Sequence, residues 1–325
     1  MAQHIAVLTS GGDAPGMNAA IRAVVRAAAR HDMKVTGIRK GFNGLLDGDF
    51  IQLDKNDVAD TIQRGGTFLY TARSEKFRTL EGQRQGAENL KKAGIDALVI
   101  IGGDGSFEGA RRLSDLGINT MGIPVTIDND VACSDYTIGF DTAVNTAMEA
   151  IDKIRDTSTS HERVSIVEVM GRGAGYIALW CGIVNGAEDI LIPEMFDGNL
   201  QVFIDRLASH IIENRKKGKT HHIIINAEGI GHTYEISKKL EDITGIGTRA
   251  TILGYLQRGG SPTAKDRMLA SLMGDYSVEE IAAGRKNEII AIHENHIAAY
   301  PINEALNSFK DIDPFMYKVS QMMVR

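Results

Sequence analysis

The chain has 325 residues, 43% hydrophobic and 24% charged, the composition of a globular protein long enough for two domains. A formal net charge of −6 argues against nucleic-acid binding by the protein as a whole. The two cysteines, Cys133 and Cys181, have no metal-site spacing and fit a reduced cytoplasmic setting, and neither a signal peptide nor a run of the ~20 apolar residues that span a bilayer is expected.

Aliphatic runs predict strands in chain order: HIAVLTS from His4, KVTGIR from Lys34, DALVIIGG from Asp96 and TMGIPV from Thr120. VSIVEVMG follows from Val164, DILIPE from Asp189, HHIIINAEG from His221, RATILGYL from Arg249 and NEIIAIHE from Asn287. Continuous apolar runs of this kind suit strands buried on both faces. Helical spacing of apolar residues marks 16–31, 81–94, 107–117, 142–156 and 199–218. Strand alternating with helix predicts βαβ units and mainly parallel sheets. So many strands need two sheets, with a seam near residue 139.

Ligands of open α/β sheets bind beyond the carboxyl ends of strands. There the chain reads TSGGDAPG (9–16), IGGDGS (101–106), TIDND (126–130), VMGRG (169–173), NAEG (226–229) and YLQRGGSP (255–262). Glycine-rich turns opening a helix let the backbone approach a phosphate, and the helix end adds positive potential. Either loop alone is as readily a tight turn with no ligand. Two together, one carrying Asp104, point to a nucleotide and to a hard cation such as Mg²⁺. Neither loop is a Walker A or a GxGxxG sequence. In TIDND one carboxylate can serve as a general base. In an extended segment residues two apart face the same side, so Asp128 and Asp130 are expected to face one phosphate and its metal. Arg73, Arg163, Arg172, Arg249 and Arg258 lie at or near these turns, and guanidinium groups grip phosphate oxygens. Arg22, Arg26 and Arg30 recur every four residues on one helix face, a row that repels itself unless an anion joins it.

These stretches together resemble the bacterial ATP-dependent 6-phosphofructokinase family along nearly the whole chain. The resemblance rests on LTSGGDAPGMNAAIR, RGGTFL, IGGDGS, TIDND, DYTIGFDTA, IDKIRDT, SHERV, VEVMGR, AEG and QRGGSPTAKDR. It implies an α/β phosphofructokinase fold of two packed domains, each a mainly parallel sheet flanked by helices. Residues 1–139 with 257–306 are expected to bind ATP, and 140–256 with 307–325 to bind fructose 6-phosphate. The implied reaction moves the γ-phosphoryl group of Mg-ATP to the 1-hydroxyl of fructose 6-phosphate in a cytoplasmic homotetramer. ADP or GDP and phosphoenolpyruvate are the implied effectors, and no nucleic acid or membrane is involved.

Carried over by residue, the resemblance makes Asp128 the general base and Thr126 a contact of the moving phosphoryl group, with Arg73 and Arg172 completing the catalytic set. Gly12, Arg73, Ser74, Gly103, Asp104, Gly105 and Ser106 are implied for ATP, with Asp104 on the metal. Thr126, Ile127, Asp128, Met170, Gly171, Arg172, Glu228, Tyr255 and Arg258 are implied for the sugar phosphate, joined by Arg163 and Arg249 from a neighbouring subunit. Arg22, Arg26, Lys55, Arg155, Glu188, Lys217 and Lys219 are implied for the effector, Glu188 through a metal. The chain departs from the family at Val125, where glycine is usual and pyrophosphate-dependent relatives carry lysine, and the valine is expected to add bulk beside the phosphates. Gly105 is the ATP-type residue, where the pyrophosphate type has aspartate. Tyr255 replaces a histidine, Tyr176 an aspartate, and Ser74 and Glu108 are unusual beside a nucleotide. A pyrophosphate-dependent enzyme or a tagatose 6-phosphate kinase stands as the alternative, and a non-catalytic regulatory subunit as a weaker one.

Overall fold

The computed structural model describes residues 2–322. In chain order the elements are β1 (His4–Thr9), α1 (Met17–Arg30), β2 (Lys34–Ile38), α2 (Gly41–Asp47), β3 (Phe50–Leu53), α3 (Leu80–Lys92), β4 (Ala97–Gly102) and α4 (Asp104–Asp115). Then come β5 (Asn119–Thr126), β6 (Ile138–Gly139), α5 (Phe140–Ser160), β7 (Val164–Val169), α6 (Tyr176–Asn185), β8 (Asp189–Leu191), α7 (Leu200–Lys216) and β9 (His222–Ala227). The chain finishes with α8 (Thr233–Thr244), β10 (Thr248–Ile252), α9 (Ala264–Ala282), β11 (Glu288–His293), β12 (His296–Pro301), α10 (Ile302–Asn307) and α11 (Pro314–Met322). It divides into two compact units, Met1–Thr142 with Arg258–Lys310 and Ala143–Gln257 with Asp311–Arg325. None of the described helices is long and apolar enough to cross a membrane.

The first unit holds a sheet in the order β12-β11-β5-β4-β1-β2-β3, with β6 extending β5. It is parallel except at its edges, where β3 and β12 run antiparallel to β2 and β11. The aliphatic runs become its central strands, and β4 is buried along its whole length because both faces are covered. Ala6, Leu8, Leu98 and Ile100 pack with Leu45 of α2, Leu90 of α3 and Phe107 of α4 on one face. Ile5, Val7, Val99 and Ile101, of the other parity, are equally buried. On that side α1 packs against α9, and Gly274 permits the approach: a Cβ there would stand 2.5 Å from the Cβ of Ala23.

The second unit has a four-stranded sheet, β10-β7-β9-β8, parallel throughout. Val164, Ile166, Leu191 and Ile224 form its core with Ile204, Leu207 and Ile211 of α7 and Ile236 and Leu240 of α8. One buried polar contact interrupts this apolar layer. The Asp189 carboxylate accepts from His222 (2.9 Å) and from His210 of α7 (3.1 Å). Burial pushes the Asp189 carboxyl up, but the bonds from His210 and His222 outweigh it and hold it below the usual carboxylate range. The bond to Asp189 raises His210 in turn. The Asp189 contribution to stability is present above the ordinary carboxylate value and is lost as pH falls through its lowered one. The His210 contribution is present below the ordinary imidazole value and is lost as pH rises through its raised one. Asp189→Asn is therefore expected to lower stability between those limits by about 2 kcal/mol, the scale of a hydrogen bond to a charged group. Denaturant melts of both proteins from acid to alkaline pH measure it, with the two curves converging at the extremes.

Candidate active site

β5, β4 and β1 are neighbours and parallel, so their carboxyl ends bring 10–16, 103–106 and 127–130 to one edge of the first unit's sheet. Gly102 lets the first two loops touch. A Cβ there would stand 2.6 Å from the Ser10 carbonyl oxygen and 2.5 Å from Ser106 Oγ. In the glycine loop after β1, Gly11 and Gly16 hold φ of +90° and +106°, a region that favours glycine. Thr71 Oγ1 donates to the Gly11 carbonyl (2.8 Å), and Thr9 Oγ1 to that of Tyr70 (2.9 Å). Asn18, buried at the start of α1, donates to the carbonyls of Arg64 and Gly65 and accepts from Phe68 N. The segment carrying Arg73 and Ser74 is thereby laced to the glycine loop, with the Arg73 side chain exposed.

α4 starts after Gly103 with no side-chain cap, and Asp104 occupies its first turn. Ser106 is buried, whereas a Cβ on Gly105 would meet nothing within 4 Å. This end of α4 is an uncapped helix N-terminus over open space, which suits an anion. Among the described residues no cluster of three or more His, Cys, Asp or Glu side chains is suited to hold a metal. The lone Asp104 nevertheless fits Mg²⁺, which keeps several waters and takes further oxygens from phosphates. The nearby Cys133 thiol is pushed up to about 11, by burial first and by Asp104 second, and is not a nucleophile at neutral pH.

Beyond β5 the chain bends at Ile127 and Asp128, and Asn129 is left-handed with φ of +53°. The expectation that Asp128 and Asp130 face one side as in a strand is therefore corrected: the strand stops at Thr126 and the alternation stops with it. Asp128 is 6% exposed, and its N–H donates to Thr126 Oγ1 (3.2 Å). Asn129 is structural: its Oδ1 accepts from Thr137 N (3.0 Å) and its Nδ2 donates to the Asp135 carbonyl (3.3 Å). Ile127 is fully buried and supports the turn from beneath.

Val125 pairs with Ile138 in β6 and is 1% exposed, on the opposite side of the pleat from Thr126. The expectation that it adds bulk beside phosphates is corrected; it is a core residue. Val125→Gly should cost about 2–4 kcal/mol, the burial of a valine plus the flexibility of glycine in a strand. Urea denaturation compares the two proteins.

Two further side chains belong to this region. Arg258 Nη1 donates to the Asp13 carbonyl (3.0 Å) and stands 2.4 Å from where a Cβ of Gly12 would be. The structure thus groups Arg258 and Gly12 on the glycine loop. Lys310 was missed by sequence reasoning. Its Nζ donates to the carbonyls of Asn129 (2.9 Å), Ser134 (2.8 Å) and Asp135 (3.2 Å). Burial pushes its ammonium down to about 8, against the pull of Asp135 and Asp130. Nothing in SFKDID signals this, because its partners are carbonyls that every residue carries.

In the second unit Met170, Gly171 and Arg172 follow β7, and Glu228 follows β9 beside it. Met170 N donates to the buried Gln257 Oε1 (2.8 Å). The N–H groups of Gly171 and Arg172 both donate to Glu228 Oε1. Arg172 is left-handed at φ of +59° with its side chain exposed, and Tyr255 is 83% exposed. Arg163 and Arg249 do not join this group. Arg163 precedes β7, Arg249 is the second residue of β10, and Val164 pairs with Thr248. Both arginines lie toward the amino ends of their strands, Arg163 about 20 Å and Arg249 about 10 Å from the carboxyl ends at ~3.3 Å per residue. The expectation that they sit at or near the carboxyl-end turns is corrected: one precedes its strand and the other is second in its own, and parallel pairing puts both amino ends on one side.

The basic residues form two sets. In the first unit Arg22, Arg26, Arg30 and Lys55 line a cavity of about 340 Å³ with Ser271 and Asp275. Arg30 pairs with Asp275 and Glu279, each at 2.7 Å, so part of the row's repulsion is already neutralised. Arg22, Arg26 and Lys55 form no ion pair among the described residues, and Arg22 is lowered by burial first and by Arg26 second. In the second unit the buried Glu188 pairs with Lys219, lies 4.0 Å from Arg155 and accepts from Ile223 N (2.6 Å), while Lys217 pairs with Glu213.

The arrangement of two glycine loops, a lone metal-suited carboxylate and a buried carboxylate at parallel strand ends is that of a phosphoryl-transfer protein. The chain belongs to the phosphofructokinase family, whose model matches residues 4–281. It is 54% identical over 322 residues, 99% of both chains, to the ATP-dependent 6-phosphofructokinase of Clostridium tetani. It is 53% identical over 319 residues, 98% of both, to that of Clostridium botulinum strain Loch Maree. The phosphofructokinase structure from Saccharomyces cerevisiae matches with a TM-score of 0.87 and 36% identity over 99% of this chain. This chain spans about half, 48%, of that yeast chain. A pyrophosphate-dependent phosphofructokinase from Marinobacter aquaeolei matches with a TM-score of 0.84 over 99% of this chain and 91% of that one; at 22% identity the likeness concerns the fold alone.

Proposed function

We propose that the protein transfers the γ-phosphoryl group of Mg-ATP to the 1-hydroxyl of fructose 6-phosphate, giving fructose 1,6-bisphosphate and ADP, as a cytoplasmic enzyme of glycolysis. The observation that carries this reading is the gathering of the Gly11–Gly16 loop, the α4 N-terminus and Asp128 at one sheet edge. Support comes from the two clostridial relatives, which are named as ATP-dependent enzymes. Asp128 takes the proton of the 1-hydroxyl as its oxygen bonds to the γ-phosphorus, and the bond to the β-γ bridging oxygen breaks to leave ADP. Gly12, Gly103, Gly105 and Ser106 offer backbone to the phosphates, Ser74 flanks them, and Arg73 and Thr126 receive the moving group. Asp104 would hold the Mg²⁺, which neutralises phosphate charge. Met170, Gly171, Arg172, Glu228, Tyr255 and Arg258 are assigned to fructose 6-phosphate. Open space above Gly105 favours ATP over pyrophosphate, because a nucleotide carries its further phosphate there.

Arg163 and Arg249 lie away from the other sugar-phosphate residues of the second unit. Their assignment to the substrate therefore requires a second copy, in keeping with a homotetramer. Assays with ATP, GTP or pyrophosphate and Mg²⁺ test the reaction; activity with pyrophosphate and none with ATP would overturn it. Asp128→Asn is expected to keep the parent's melting temperature and to lower kcat by about 10²–10⁴-fold, the usual worth of a positioned base.

A second phosphate site, lying between subunits, is assigned to Arg22, Arg26 and Lys55, with Arg155, Glu188, Lys217 and Lys219 as its further residues. The cavity lined in part by Arg22, Arg26 and Lys55, which form no ion pair among the described residues, supports it. ADP or GDP and phosphoenolpyruvate are the proposed occupants, and couplings of about 1–3 kcal/mol are typical of such sites. Arg26→Ala should lose the shift that these effectors impose on fructose 6-phosphate saturation curves. A variant that still responds would place the effector elsewhere.

A further inference from the structure

Lys310 has no part in the assignments above, yet it reaches the turn that carries the base. It is the last residue of the first unit, three residues after α10. Its three carbonyl partners come from both limbs of the turn after β5: Asn129 is next to Asp128, and Ser134 and Asp135 lie on the returning limb. The returning limb is anchored independently. Asp135 N donates to the Ile292 carbonyl (2.8 Å), Ile292 N to Ser134 Oγ (3.1 Å), and Glu294 N to Asp135 Oδ2 (2.8 Å). The outgoing limb is joined to it by the Asn129 side chain, by Thr137 Oγ1 donating to the Thr126 carbonyl (2.7 Å), and by Lys310, the one tie among these that carries a charge. Three carbonyl dipoles converging on one point repel one another unless a cation sits among them. A lysine ammonium supplies three rotatable donors and a compact charge, whereas the flat fork of a guanidinium does not match three acceptors around a point.

We propose that Lys310 is a positioning residue for phosphoryl transfer: its ammonium clamps the two limbs of the 127–137 turn together and so holds the Asp128 carboxylate where it can take the acceptor's proton. This rests on the reading of Asp128 as the base. The ammonium is engaged with three carbonyls and is assigned no substrate contact. Its removal therefore acts on the reacting geometry more than on binding, and a misplacement of about 1 Å costs about 10²-fold in rate.

The test uses the full-length enzyme with ATP, Mg²⁺ and fructose 6-phosphate. Lys310→Met, which keeps the stem and removes the donors, is expected to lower kcat by about 10²-fold, with KM for both substrates near the parent's. Lys310→Ala supplies a second readout. Ethylamine added to it should restore turnover saturably, and ethanol at the same concentration should not. Parent-like kcat in Lys310→Met overturns the proposal, as does a rise in both KM values at unchanged kcat. If Lys310→Met fails to fold, the amine titration of Lys310→Ala decides. If neither variant folds, the residue serves stability and the proposal falls. Asp128→Asn is measured alongside. Its loss of turnover with a fully active Lys310→Met removes only the clamp, whereas full turnover in Asp128→Asn removes the base and the clamp with it.

Discussion

Backbone lying directly on backbone at the ends of β1 and β4 is the constraint on which the donor region depends. Gly102 has no room for a side chain between the Ser10 carbonyl and Ser106. Because it has none, the loop after β1 and the first turn of α4 share one small space at the carboxyl edge of the sheet. The same economy recurs farther along the chain. A Cβ on Gly65 would stand 2.3 Å from the Gly260 carbonyl oxygen, so the two RGG stretches also meet main chain to main chain. Surfaces made in this way present amide groups rather than side chains, and amides are what a phosphate chain needs.

The turn after β5 solves a different problem. It must bring a carboxylate to the sheet edge without letting it drift. Thr126, Asn129 and Thr137 close the turn with side-chain bonds to its own backbone, and β11 holds its far limb. Asn129 takes a left-handed conformation that few residues other than glycine adopt cheaply. In TIDND, then, the asparagine shapes the turn, and the first aspartate is the one proposed to carry the chemistry.

The sheets were legible because strands buried on both faces leave continuous aliphatic runs, although α6, YIALWCGIVN, is an equally apolar run that forms a helix. α9 left no such trace. Its buried face runs through Asp266, Leu269, Ala270, Met273, Gly274, Ser277, Val278 and Ile281, at helical spacing but with small and polar members. Met268 and Leu272 are exposed instead, so its hydrophobic pattern is blurred. β3, β6 and β12 escaped for a similar reason, being short or at an edge. Of the proposed site, the glycines and Asp128 stood out in the sequence because phosphate binding and proton transfer call for those residue types. The place of Arg163 and Arg249 on their strands and the face of Val125 were misjudged because motif membership was weighed above strand direction and pleat parity, which already separate the beginning of a strand from its end and one face from the other. Lys310 could not have been read at all, since its partners are main-chain oxygens.

The division of the chain bears on how the protein is made. Residues 258–310 complete the first unit, supplying α9 to α1, β11 to the side of β5 and Arg258 to the glycine loop. Asp266 reaches back to the N–H of Thr142 (2.8 Å). Between Thr142 and Arg258 the ribosome must first synthesise residues 143–257, all of the second unit except its tail. At about 5–20 residues per second those 115 residues take roughly 6–23 s. For that interval the emerging β1-to-β5 layer carries an uncovered α1 and a sheet edge at β5 without its partner. An unpaired strand edge of this kind is an invitation to aggregation, so the nascent chain is most exposed to holdase chaperones while its second unit is being built.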